Sequence, residues 1–147
     1  MIKLTVSLLA LISSHLSAAT LPADNMIVFG DGTEKLVELA DPMCATCQIV
    51  HYRYFDFNGN LLDKQLQLAI LPVVLKSHPS SRNIIANIYC SADRASSWIK
   101  ALTDSTYRES LQQLPDRCKD HLKTVDENNL YYEALGAQGT PHFIPLN

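Results

Sequence analysis

The chain has 147 residues, 47% of them hydrophobic and 18% charged, with a formal charge of −3. These values suit one globular domain. They exclude a basic nucleic-acid-binding surface, since no Lys/Arg run offsets the mildly acidic balance, and the scattered glycines and prolines exclude a repeat or low-complexity protein.

The first residues, MIKLTVSLLALISSHLSAAT, place Lys3 before an apolar stretch from Leu4 to Leu16, then Ser17-Ala18-Ala19. Small side chains at Ser17 and Ala19 fit cleavage after Ala19. The run is interrupted by Ser13, Ser14 and His15 and falls short of the ~20 residues a spanning helix needs. Residues 1–19 are therefore expected to be a cleavable signal peptide and residues 20–147 the domain. Cleavage removes Lys3 and takes the formal charge from −3 to −4. All four cysteines (Cys44, Cys47, Cys90, Cys118) lie beyond the leader. In an oxidising compartment, an even count suggests pairing.

Between Asn25 and Ala40 the pattern is strand-like: IVF, the turn signal Gly30-Asp31-Gly32, then KLVELA. Asp41-Pro42 stops the second segment, because proline has no ladder donor and restrains its predecessor. A helix is expected from Cys44 to about Phe57, with Cys47, Val50 and Tyr54 on one stripe and Asn58-Gly59-Asn60 as its end. LQLAILPVVL, 66–75, reads as a strand buried on both faces. After the loop SHPSS, where Ser80 and Ser81 are N-cap candidates, Ile84, Ile85 and Ile88 mark a helix ending near Cys90. Ala95, Trp98, Ile99 and Leu102 mark the next, with Trp98 a core residue. A polar stretch reaches Cys118. A last helix, Thr124 to Leu135, is closed by Gly136, and HFIPL forms a final strand after Gly139-Thr140-Pro141. Strand, helix, strand, several helices, strand is the order of an α/β fold.

Cys44 and Cys47 stand at i and i+3 where a helix opens, close enough to bridge. The first sulfur faces unpaired backbone N–H groups at the positive helix end, which favours thiolate over thiol. Cys44 is thus a nucleophile candidate, and Cys47, one turn in, a resolving thiol. Two other readings compete. A zinc site usually shows a second close pair, which Cys90 and Cys118 do not form. A purely structural Cys44–Cys47 bridge closes too small a loop to stabilise much. For Cys90 and Cys118 the simplest reading is one structural disulfide, against two free thiols.

DPMCATC, CSADRASSWIKAL, a second lone cysteine and LGAQGTPHF together resemble the thioredoxin-fold catalytic domain of the periplasmic disulfide isomerases DsbC and DsbG, from about Val37 to Phe143. The resemblance implies a thioredoxin-like fold with a helical insertion between the 66–75 strand and the strand led by a cis-proline. It implies Cys44 and Cys47 as the redox couple, Cys90–Cys118 as the structural bridge, and Pro141 as that cis-proline. It also implies that Thr140 offers its backbone to an extended substrate peptide. Glu38 departs from the isomerases, which carry an apolar residue there, and matches the buried acid of thioredoxin and DsbA. Buried in a central strand, it would accept a proton from Cys47; on an exposed face it would be a solvated glutamate. The family's isomerases also carry an N-terminal dimerisation domain, expected to be missing here, and continue beyond the proline-led strand, where this sequence stops at Asn147.

The expected activity is that of an exported, periplasmic thiol–disulfide oxidoreductase of isomerase or reductase type, needing no metal or cofactor. It would act on cysteine-containing exported proteins and exchange electrons with a membrane donor or acceptor. A net oxidase, or a binding module with inert cysteines, are the alternatives.

Overall fold

A sheet of four strands forms around the longest apolar run of the sequence. The computed structural model describes residues 19–146, so the expected leader lies outside the described residues except for Ala19. The strands are β1 (Ile27–Phe29), β2 (Glu34–Ala40), β3 (Leu66–Pro72) and β4 (His142–Leu146), in the spatial order β1-β3-β2-β4. β2 and β3 run parallel, with Glu38 opposite Ile70, and β1 and β4 are antiparallel additions at either edge. A parallel pair needs a crossover, which is supplied by α1 (Ala45–Tyr54). Between β3 and β4 come α2 (Ser81–Cys90), α3 (Arg94–Thr103), α4 (Ser105–Ser110), a 3-10 turn at Asp116–His121 and α5 (Leu122–Leu135).

Alternation along the central strands sends side chains to two cores. On one face Leu68, Ile70 and Ala40 pack with Cys47 of α1, Phe55 just beyond its end, and Trp98, Ala101 and Leu102 of α3. On the other, Val37, Leu39, Leu71 and Val73 meet Tyr131 and Tyr132 of α5. α2 contributes Ile84 and Ile88 to the first core and packs Ile85, Ala86 and Tyr89 on Val125 of α5. Buried Asn128 links α5 to the end of β3. Its amide donates to Pro72 O and Tyr89 Oη, both at 2.8 Å, and the Tyr89 hydroxyl donates to Asn25 O. Such a saturated network fixes where α5 sits on the sheet.

Local expectations differ from what is observed at several points. α1 ends at Tyr54 rather than Phe57, because Phe55 leaves the helix to pair with Leu61. Asp56 then holds the turn by accepting from the backbone N–H of Asn58 and Asn60. β3 ends at Pro72, since the N–H groups of Val74 and Leu75 go instead to Asn129 Oδ1 (2.9 Å) and Asp41 Oδ2 (2.8 Å). Neither Ser80 nor Ser81 caps α2 with its side chain; the Ser81 hydroxyl donates to Asp41. The polar stretch before Cys118 contains α4, whose N-cap Asp104 accepts from Tyr107 N at 3.0 Å. The end of α5 is as expected, with Gly136 closing the helix at φ +72°.

Candidate active site

The dithiol lies where β2 hands the chain to α1. Asp41 O accepts from Cys44 N at 3.0 Å, and Cys44 O in turn accepts from Gln48 N, so Cys44 is the N-cap residue of α1. Its side chain makes no capping bond. That leaves the sulfur beside the free N–H groups of the first turn, where negative charge is favoured. Both thiols are unpaired and buried, Cys47 more deeply at 1% exposure.

The two sulfurs differ in acidity. Burial alone would raise Cys44, but the Thr140 side chain and hydrogen bonds from Cys47 and the Thr46 backbone outweigh it, and the net direction is down. Cys47 is pushed up to about 12, chiefly by burial, with its neighbour's charge adding to the rise. One thiol is thereby set to ionise and the other to keep its proton.

The chain returns to the sulfurs ninety-six residues later, at the entry to β4. The Thr140–Pro141 peptide is cis, and the Cys44 thiol donates to Thr140 O at 3.4 Å. The Thr140 hydroxyl is buried and has no hydrogen-bond partner among the described residues. A thiolate would satisfy it. A cleft of about 440 Å³ opens on this side, lined by Val74, Leu75, Tyr132 and Gly139, with Lys76 and Glu133 among its polar groups.

Glu38 is buried, at 5% exposure. In β2 it alternates with Leu36 and Ala40, on the sheet face covered by α1, between Ile70 and Phe143 of the flanking strands. Burial raises its carboxyl to about 7. Its charge is felt by Tyr54 of α1, whose hydroxyl burial and Glu38 together push up.

Cys90 and Cys118 are bonded to each other, their Cα atoms 5.4 Å apart, and tie the end of α2 to the 3-10 turn. The four cysteines therefore divide into one disulfide and two neighbouring free thiols.

Three residues join the site that the sequence reading did not single out. In the sequence Asp41 marks only a strand stop; its carboxylate is fully buried and accepts hydrogen bonds from Met43 N, Leu75 N and the Ser81 hydroxyl. His51, one turn after Cys47 on the same helix face, is buried and stacked on Phe55, with Nδ1 unpartnered. An i, i+4 count from Cys47 would have found it. Tyr132 approaches from α5, and its hydroxyl is pushed up by burial and then by charge on Asp41, Cys44 and Cys47. No local signal marks it.

No protein-family model matches the chain, and no curated protein is significantly similar to it in sequence. Solved structures do match. The disulfide interchange protein of Neisseria gonorrhoeae superposes with a TM-score of 0.63 at 20% identity, over 84% of this chain and 81% of that one. DsbG of Helicobacter pylori gives 0.59 at 20% identity over 85% of this chain, which spans only 57% of that longer protein. A periplasmic thioredoxin-like protein of Salmonella enterica serovar Typhimurium gives 0.54 at 17% identity, over 91% and 85%. The chain has the thioredoxin-like fold these proteins share, with α2 to α5 inserted between β3 and the proline-led strand.

Proposed function

We propose that this chain is an exported, periplasmic thiol–disulfide oxidoreductase that exchanges disulfides with cysteine-containing proteins through Cys44 and Cys47. The observation that carries this reading is the placement of two free, buried thiols at the start of α1 against the cis Thr140–Pro141 peptide, where Cys44 is lowered and Cys47 raised. A structural pair has no use for that asymmetry.

The Cys44 thiolate attacks one sulfur of a substrate disulfide, forms a mixed disulfide and releases the other substrate sulfur as thiolate. Two exits follow. In the reductive exit, Cys47 loses its proton and attacks Cys44 Sγ; the second substrate thiolate leaves, and Cys44–Cys47 is oxidised. In the isomerising exit, another substrate thiolate attacks the mixed disulfide, a rearranged bond forms, and Cys44 is released unchanged. Net oxidation of a substrate dithiol is the whole reductive sequence, first attack and exit, run backwards.

Cys47 needs a base for the first exit. Glu38, buried on the α1 side of the sheet and raised to about 7, is suited to take that proton and return it. The substrate chain would run along Thr140, whose backbone pairs with it beside Pro141, and into the adjoining cleft. Within the thioredoxin-like proteins, the DsbC/DsbG type is supported by the motif likeness, and the isomerase or reductase direction goes with it. That direction requires a membrane electron donor to keep Cys44 reduced.

The test is alkylation of the reduced protein at pH 6. Cys44 should react at least about tenfold faster than free cysteine, whose thiol near 8.5 leaves it almost wholly protonated there. A rate no greater than that of free cysteine would favour a binding module with inert thiols.

A further inference from the structure

We infer that Asp41 is a positioning residue for the dithiol: its buried carboxylate fixes the turn that carries Cys44, and its charge biases the couple toward the disulfide. This rests on Cys44 and Cys47 being the redox pair and adds what sets their poise.

The geometry assigns the first role. Oδ1 accepts from Met43 N at 2.8 Å and from the Ser81 hydroxyl at 2.6 Å, and Oδ2 accepts from Leu75 N at 2.8 Å. One carboxylate thereby joins the turn before α1, the loop after β3 and the first residue of α2. Its main-chain oxygen also accepts from Cys44 N. His78 Nδ1 lies 3.4 Å from Oδ2, and Tyr132 faces the group from α5. All three hydrogen bonds deliver a hydrogen to the oxygens, the pattern an ionised carboxylate satisfies.

The second role follows from the charge. The Asp41 carboxylate is held on Met43 N, one residue before the Cys44 N-cap of α1, and the first residue of α2 also donates to it. Two anions there repel in a low-dielectric interior. The reduced couple carries the Cys44 thiolate and the disulfide carries none, so Asp41 penalises the reduced form alone. It acts against the lowering of Cys44 rather than for it.

Asp41→Asn keeps the shape and removes the charge. In equilibrium with glutathione the variant should shift about tenfold toward the dithiol, a potential about 30 mV more positive. The pH midpoint of Cys44 alkylation should fall. Ser81→Ala removes one hydrogen bond but keeps the charge, and should stay within about twofold of wild type. An unchanged Asp41→Asn equilibrium, or an equal shift in Ser81→Ala, would overturn the charge role. Should Asp41→Asn not fold, wild-type protein decides. The Asp41 carboxyl carbon resonance should inflect at the pH where Cys44 ionises in the reduced form and show no such inflection in the disulfide form. A trace flat in both overturns the inference. Failure of wild-type protein to exchange with glutathione at all would instead remove the redox reading itself.

Discussion

At the scale of single residues the site depends on where charge can be accommodated. Cys44 caps a helix and is lowered, while Cys47, three positions on, loses water and is raised. The same loss of water makes Glu38 a weak acid near neutrality. Glu38→Gln should therefore slow release of the mixed disulfide, by an order of magnitude typical of a lost general base, about 10²-fold. It should leave formation of that intermediate intact. Stopped-flow thiol exchange separates the two phases, and equal release rates would remove Glu38 from the mechanism. The sequence showed Glu38 six positions before Cys44 and left its environment open. Pairing with Ile70 and Phe143 on either side decided for burial.

At the scale of elements, periodicity carried most of the information. The stripe at Ala95, Trp98, Ile99 and Leu102 became α3, with Trp98 fully buried, and HFIPL became β4 residue for residue. Periodicity failed where a distant side chain claimed the backbone. β3 stops because Asn129 and Asp41 take the N–H groups of Val74 and Leu75, and nothing in LPVVL announces partners from α5 and the β2 turn. The cysteine spacing of 28 between Cys90 and Cys118 closes a loop around α3 and α4. By loop entropy it contributes about 3–4 kcal/mol. Replacing both cysteines by alanine should lower unfolding free energy by that order in urea titration while leaving Cys44 alkylation unchanged. A loss below 1 kcal/mol would mean that the helical insertion is held by packing alone.

For the whole molecule, buried titratable groups give stability a pH dependence. Glu38 has a folded value of about 7 against an ordinary 4.5, so between those values the native state holds a proton that the unfolded state has released. Stability must then fall as pH rises through that window. The penalty is absent below 4.5 and complete above 7, where it amounts to roughly 3 kcal/mol. His51 acts in the opposite sense: burial lowers it, so its contribution is present above its ordinary value of 6.5 and is lost as pH falls through the depressed one. The stability of Glu38→Gln relative to wild type should rise from pH 4.5 to about 7 and level off above it. Thermal melts across that range measure it, and a constant difference would show that Glu38 is solvated.

The sequence by itself determined the strand and helix order and the two cysteines one turn apart at a helix start, because each is written in local spacing and side-chain chemistry. Only the tertiary structure decided the burial of Glu38, the gathering of Met43, Leu75 and Ser81 on Asp41, and the approach of Tyr132 and Thr140 to the sulfurs. Those contacts join residues tens of positions apart. Desolvation and long-range hydrogen bonding are properties of the packed sheet and helices, which no local pattern encodes.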